Sequence, residues 1–215
     1  MTTPSLAVDA RELFRAAYEN RYTWDEHFPG FTADLTLTRD GQTYGGQVIV
    51  NKDLSYEVLG VTDEQAKKEM TNFVWEVVTH RRHTPFDKAH GKNSFTLGAT
   101  DETGATEILV SGDAMGSNYK IRNREICEVS RVMNGVAFVI HHKHSLDTGN
   151  GYISTGYDIV YRNAETGEIT QRKSVELTFE KIDNYYMLTR EVVQGEEQGK
   201  PFGMAAVFSN IQYLA

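Results

Sequence analysis

From Phe95 onward the chain repeats one local pattern, a run of strand-forming residues followed by a turn signal. The turn signals are "DETGAT", "GDAMGSN", "MNG", "DTGNG", "AETGE" and "VQGEEQGKP". Between them lie the runs Glu107–Val110, Tyr119–Met133, Val136–His144, Tyr152–Arg162, Ile169–Ile182, Tyr185–Val193 and Met204–Phe208. Short connections between successive strands make neighbours antiparallel. Two runs alternate plainly. Tyr157, Ile159 and Tyr161 oppose Asp158 and Arg162, and Val175, Leu177 and Phe179 oppose Glu176, Thr178 and Glu180. One apolar and one polar face predict an antiparallel sheet covered on one side.

The first third of the chain supplies the cover. Ala10, Leu13, Phe14, Ala17 and Tyr18 share one helical face, which predicts a helix over Asp9–Tyr22 capped by Asp9 and Glu12. "FTADLTLTRDGQTYGGQVIV" then switches to period two around Asp40-Gly41, a hairpin turn that needs positive φ, and a short strand is expected at Ser55–Val58. A second helix is expected over Asp63–His83, with Thr62 and Gln65 as its capping box. Ala66, Met70, Phe73, Val74, Val77 and Val78 form its stripe, with Trp75 beside it, and Pro85 ends it. The expected fold is α+β: a large curved antiparallel sheet, a half-barrel-like meander, with two main helices packed on one face. Long sheets curl, and a curled sheet under helices can leave an apolar pocket between the layers. With no repeat, linker or low-complexity tract, residues 1–215 read as a single domain.

A net charge of -8 leaves no general basic face for nucleic-acid phosphates, so any cationic surface must be local. Cys127 is the single cysteine, which excludes an internal disulfide and fits a reducing compartment. The N-terminus lacks the basic and apolar regions of a secretory signal, and no apolar run reaches a membrane span of ~18 residues. A soluble, cytoplasmic protein is the expectation.

Cations do gather once, in "THRRHTPFDKAHGKNSF" at residues 79–95. Arg81, Arg82, Lys88, His90 and Lys92 make a candidate site for an anion or an acidic partner, through fork-like arginine donors and the glycine-permitted backbone at Gly91. Two other readings compete. His80 and His83, at helical spacing, could share a metal with His90, though no matching carboxylate or cysteine pattern accompanies them. Basic residues at a helix C-terminus also favour the helix dipole and simply face water. A second cluster, "VIHHKHSLDTGNGY", puts His142 and His144 on one strand face and His141 on the other, two ligands at most. No GxSxG, GxGxxG or phosphate-loop motif appears, so no catalytic residue, metal or cofactor is assigned and the balance falls against an enzyme. Phe73, Trp75, Tyr119, Tyr157 and Tyr161 are candidates to line a pocket, and most aromatics are expected to be core.

Three stretches, "RYTWDEHFPGFTADLTLTRDGQTYGGQVIV", "RRHTPFDKAHGKNSFTLG" and "MGSNYKIRNREICEVSR", resemble a family of unknown function from cyanobacteria and plant chloroplasts. The resemblance implies a cyanobacterial cytoplasm or plastid stroma and brings no assigned reaction. The order helix, hairpin, helix, meander also resembles the half-barrel lipoprotein carriers of the bacterial periplasm, which hold acyl chains between sheet and helices. The leading expectation is a non-enzymatic carrier or chaperone for an apolar or amphipathic molecule, a lipid among them. The alternatives are an assembly factor docking on an acidic partner through the Arg81–Lys92 loop, and a histidine-dependent metalloenzyme.

Overall fold

In a computed structural model of the chain, residues 9–113 and 117–215 are described. The "GDAMGSN" turn falls partly outside them. Three helices are found among the described residues: α1 (Ala10–Glu19), α2 (Glu64–Arg81) and α3 (Phe86–His90). Strands β1 (Phe31–Arg39), β2 (Gln42–Val50) and β3 (Tyr56–Leu59) lie between α1 and α2. After α3 come β4 (Ser94–Thr100), β5 (Thr106–Ser111), β6 (Ser117–Arg122), β7 (Glu125–Met133), β8 (Val136–Asp147), β9 (Tyr152–Asn163), β10 (Ile169–Ile182), β11 (Tyr185–Glu197) and β12 (Lys200–Tyr213). All join one antiparallel sheet in the order β3-β2-β1-β12-β11-β10-β9-β8-β7-β6-β5-β4. This is the expected α+β architecture.

The local chemistry explains most boundaries. Asp9 caps α1 by accepting from the Arg11 amide at 2.8 Å. Asp40 (φ 51) and Gly41 (φ 79) make the expected turn between β1 and β2. Three expectations need correction. Asp63, not Thr62, caps α2, because Asp63 holds the extended backbone and its carboxylate accepts from the Ala66 amide at 2.7 Å. Tyr119–Met133 is two strands, β6 and β7, because Asn123 (φ 53) and Arg124 (φ 61) form a tight turn without glycine. The crossover after Pro85 holds the short helix α3 rather than loop alone.

The strand register shows that both main helices lie on one face. Partner residues share a face. The row Leu35, Phe208 leads through the next row Leu37, Ala206, Glu191, Leu177, and that of Val175, Tyr157, His142, to Ile140, Val129, Tyr119 and Ile108 across the sheet. α2 packs on β1, β2 and β3, whereas α1 packs on β4, β6, β7 and α3, with no comparable packing on β8, β9 or β10. Two apolar cores result. One gathers Leu35, Leu37, Val48, Met70, Phe73 and Phe208 under α2. The other gathers Phe14, Phe86, Ile108, Tyr119 and Ile121 under α1 and α3.

Phe14 is the centre of the second core, with ring centroids of Tyr119 at 4.6 Å, His90 at 5.0 Å and Phe95 at 5.2 Å. Phe14→Ala should lower the unfolding free energy by about 3–5 kcal/mol. Trp75→Ala, on the solvent side of α2 with 54% of its surface exposed, should change it by less than about 0.5 kcal/mol. Urea denaturation of both variants checks the contrast.

Candidate functional site

Between the two helical covers, β8, β9 and β10 present an inner face with no helix packing comparable to that at the edges, and in a curled sheet this part of the face forms a concavity with α2 on one side and α1 with α3 on the other. One end is closed by the segment after α1. Tyr22 and Tyr152 are tied by the Tyr22 amide to the Tyr152 carbonyl at 2.9 Å, and the Tyr152 amide donates to the Asn20 carbonyl at 2.8 Å. The Trp24 amide donates to the Arg81 carbonyl at 2.8 Å. The Tyr186 amide donates to the Tyr22 hydroxyl at 2.9 Å, and the Tyr185 hydroxyl donates to Asp25 at 3.0 Å. This floor joins the C-terminal ends of both main helices to the ends of β9 and β11. At the other end Phe138 and Tyr161 pair at 5.9 Å, and the β7–β8 tip exposes Val132, Met133 and Val136.

The middle of the inner face carries charge. Glu191 on β11 is buried, 8% exposed, between Leu177 and Ala206 in the strand register. Burial pushes its carboxyl up to about 7, with the neighbouring Glu76 adding to the rise and Lys173 opposing it. Glu76 projects from α2, and its carboxyl is also raised by desolvation. The Lys173 ammonium lies 5.3 Å from the Tyr161 ring. Two carboxyls thus face one ammonium among Tyr157, Ile159 and Tyr161. Glu76 and His80 keep accessible surface because they face an open concavity, while protein on both sides removes much of their solvation.

The floor has the opposite sign. Arg81 at the end of α2 turns inward, donates through Nη1 to the Tyr22 carbonyl at 2.8 Å and stacks over Phe179 at 5.6 Å. Arg21 donates through Nε to the Tyr18 carbonyl at 2.9 Å and lies over the Tyr18 ring at 3.9 Å. Desolvation and the charge of Arg21 lower Arg81 to about 10. His80 and His142 face the same space. Desolvation first, then the charges of Arg81 and Arg21, lowers His80 to about 4, and desolvation does the same to His142. His142 Nδ1 and the Ser154 hydroxyl are 2.6 Å apart, and the imidazole meets the Tyr157 ring at 5.7 Å.

The residues singled out from the sequence therefore separate. Arg81 faces the floor, and His90 turns into the aromatic core beside Phe14 and Tyr18. Arg82, Lys88 and Lys92 are exposed, and Lys92 lies 3.9 Å from Asp113. Asp87 in the same crossover is held by Arg11 at 3.1 Å and Arg15 at 3.0 Å. Of the aromatic candidates, Tyr157 and Tyr161 line the concavity. Phe73, stacked on Phe208 at 5.4 Å, and Tyr119, against Phe14, are core, while Trp75 faces solvent. His142 and His144 do not share a face, because the β8–β9 register shifts between them and His144 sits beside Glu176 on the outer side. Among the described residues, no group of three or more His, Cys, Asp or Glu side chains is placed to hold a metal ion. Cys127 is buried, and burial raises its thiol. Arg21, Glu76, Lys173 and Glu191 were not singled out from the sequence. Inward parity in β11 was the available signal for Glu191, since it alternates with Val193. A separate depression of about 320 Å³ lies among Thr32, Asp34, Gln47, Ile49, Asn210 and Gln212, away from these groups.

Residues 6–214 match the profile of a family described as "Protein of unknown function (DUF3386)". The chain belongs to this family. No curated protein matches it. Among solved structures, it is similar to a putative outer membrane lipoprotein-sorting protein domain from Vibrio parahaemolyticus, at 7% identity and a TM-score of 0.37, covering 96% of this chain and 92% of that one. A DUF1329 family protein from Desulfovibrio piger gives 9% identity and a TM-score of 0.32, over 95% and 91% of the two chains. The MucA/MucB complex of Pseudomonas aeruginosa gives 10% identity and a TM-score of 0.24, over 97% and 100%. Scores of this size carry no functional argument. Among the described residues, no helix is long and apolar enough to cross a membrane.

The raised carboxyl of Glu191 has a signed consequence. Below its ordinary value of 4.5 it is protonated folded or unfolded and imposes no penalty. As pH climbs from there through about 7, the unfolded chain ionises first and the folded state is increasingly disfavoured. Glu191→Gln should therefore stabilise the protein by on the order of 2 kcal/mol near pH ~8.5 and by almost nothing near pH ~4. Urea midpoints at the two pH values, compared with the unsubstituted chain, check the sign.

Proposed function

We propose that the protein binds an apolar or amphipathic molecule in the concavity between α2 and β8–β11, as a carrier or chaperone without catalytic chemistry. The observation behind this reading is the uncovered inner face, where Phe138, Tyr157 and Tyr161 are only half-buried although they share a face with two complete cores. Exposed aromatic and aliphatic surface inside a concavity gains when an apolar ligand displaces its water. Met133 and Val136, paired on the same face, continue that surface to the tip of the β7–β8 hairpin, at the open end. In the photosynthetic setting that the sequence resemblance implies, lipid, pigment or a hydrophobic protein segment is the cargo.

A second reading has its own support. Arg82, Lys88 and Lys92 stay exposed around the α2–α3 crossover of an acidic protein, and could meet an acidic partner there. Such docking would weaken with salt and with Arg82→Gln.

The first reading is tested on ligand-stripped protein titrated with dodecanol and longer-chain amphiphiles, followed by calorimetry and native mass spectrometry. Saturable one-to-one binding is expected, and Tyr157→Ala together with Tyr161→Ala should weaken it about tenfold or more, each deleted aromatic contact removing roughly 1–2 kcal/mol. Absence of any discrete complex, or binding indifferent to both substitutions, would remove this reading.

A further inference from the structure

The floor of the concavity brings together two half-buried arginines that the ion pairs of the fold leave out. Arg11 and Arg15 pair with Asp87, Arg39 with Glu69, and Lys143 with Asp158 and Glu176. Arg21 and Arg81 have no such partner: among the described residues no carboxylate lies within 4.0 Å of either guanidinium. The undescribed residues contain no Asp or Glu. The charges are also close enough to oppose one another. Two half-buried cations side by side without a counter-ion are unfavourable, and a chain with thirty acids had material to neutralise them.

The geometry keeps them available. Each guanidinium donates once to a backbone carbonyl, Arg21 to Tyr18 and Arg81 to Tyr22, and each lies over an aromatic ring. A guanidinium has five N–H donors in one plane. A ring contact and a single carbonyl bond position each guanidinium, and among the described residues no other hydrogen bond takes up its remaining donors. The flanking groups do not compete for an anion. His80 and His142 are neutral at pH 7, and the nearest aromatic hydroxyls, on Tyr22 and Tyr152, are shifted upward and stay protonated. Planar donors of this type match carboxylate and phosphate oxygens in pairs.

We infer that Arg21 and Arg81 together form a binding site for an oxyanion, a carboxylate or phosphate, at the closed end of the concavity. This deepens the ligand-binding reading and rests on it for the source of the anion: the head of an amphiphile whose chain lies along Tyr157 and Tyr161 toward the β7–β8 tip. It also moves recognition away from the exposed cations Arg82, Lys88 and Lys92.

Calorimetry with laurate, dodecanol and inorganic phosphate separates the sources. The chain should bind laurate at least about tenfold more tightly than dodecanol, as expected for charge-assisted hydrogen bonds to a shielded pair. Arg21→Gln and Arg81→Gln should each reduce that preference to less than about threefold and leave dodecanol affinity unchanged, while Arg82→Gln and Lys92→Gln keep it. Arg81→Lys retains charge but not the fork, and should fall between. Thermal melts accompany every variant, and if Arg81→Gln fails to fold, Arg21→Gln and Arg81→Lys decide. Equal affinity for laurate and dodecanol overturns the anion site and leaves the apolar concavity standing. So does a preference that survives at Arg21 and Arg81 or disappears with Arg82→Gln. Phosphate binding lost in Arg21→Gln, with neither amphiphile bound, upholds the anion site and removes the carrier reading. No binding of any of the three removes both.

Discussion

The pairing of β1 with β12 decides where everything else lies. Every other neighbouring pair in the sheet joins strands consecutive in sequence, and most meet across a short turn. This one brings Phe31 opposite Tyr213, and so joins the first strand to the last. It carries β2, β3 and α2 to one edge of the sheet, with the strands that follow α3 reaching to the other. It also brings Phe208 of β12 into the core that the stripe of α2, from Ala66 to Val78, buries against β1, β2 and β3. On the other side of β1, Gly30 admits the chain to its pairing with β2. It holds φ +85, and a Cβ there would stand 2.3 Å from the Val50 carbonyl oxygen, so a side chain would push β1 away from β2.

That pairing also creates the concavity. A twelve-stranded antiparallel sheet curls, and two short helices at its two edges cannot cover its middle. The same face is therefore closed over near both edges and only partly covered in the centre. Centre residues differ accordingly: Leu35 and Ile108 are almost fully buried at the edges, while Tyr157 and Tyr161 keep accessible surface. The polar groups of the site, Glu76, Glu191, Lys173, Arg21 and Arg81, lie in or beside this incompletely dried centre, where charges retain part of their hydration.

The elements were legible in the sequence wherever one residue determines the backbone or one period dominates. Asp40-Gly41, the α1 stripe and the alternation around Tyr157 belong to this class, and with them the α+β sheet. Asn123-Arg124 was not, because neither residue has glycine's signature and asparagine adopts positive φ only in particular backbone settings. The site was less legible. "HRRH" reads as one cationic patch along the chain, but a helix end, an extended residue and a turn send Arg81 inward and Arg82 outward. Arg21 lies sixty residues from Arg81, and they meet only because the segment from Tyr22 to Trp24 is hydrogen-bonded to the end of α2. Local spacing holds no trace of that meeting.

The two signs of charge inside one concavity act differently with pH. Histidine ordinarily titrates across neutrality. Here His80, His90 and His142 are all held near 4, largely by desolvation, so across pH ~5–8 they add no charge to the floor. Arginine charge is constant over the same range. Glu191, at about 7, changes there, and burial raises the neighbouring Glu76 in the same direction. Acidification from neutrality therefore leaves the Arg21–Arg81 pair untouched and removes a negative charge from the centre of the sheet, making the interior more positive. The carboxyls of Glu191 and Glu76 are thus where proton concentration reaches the concavity, while the arginines set its permanent sign.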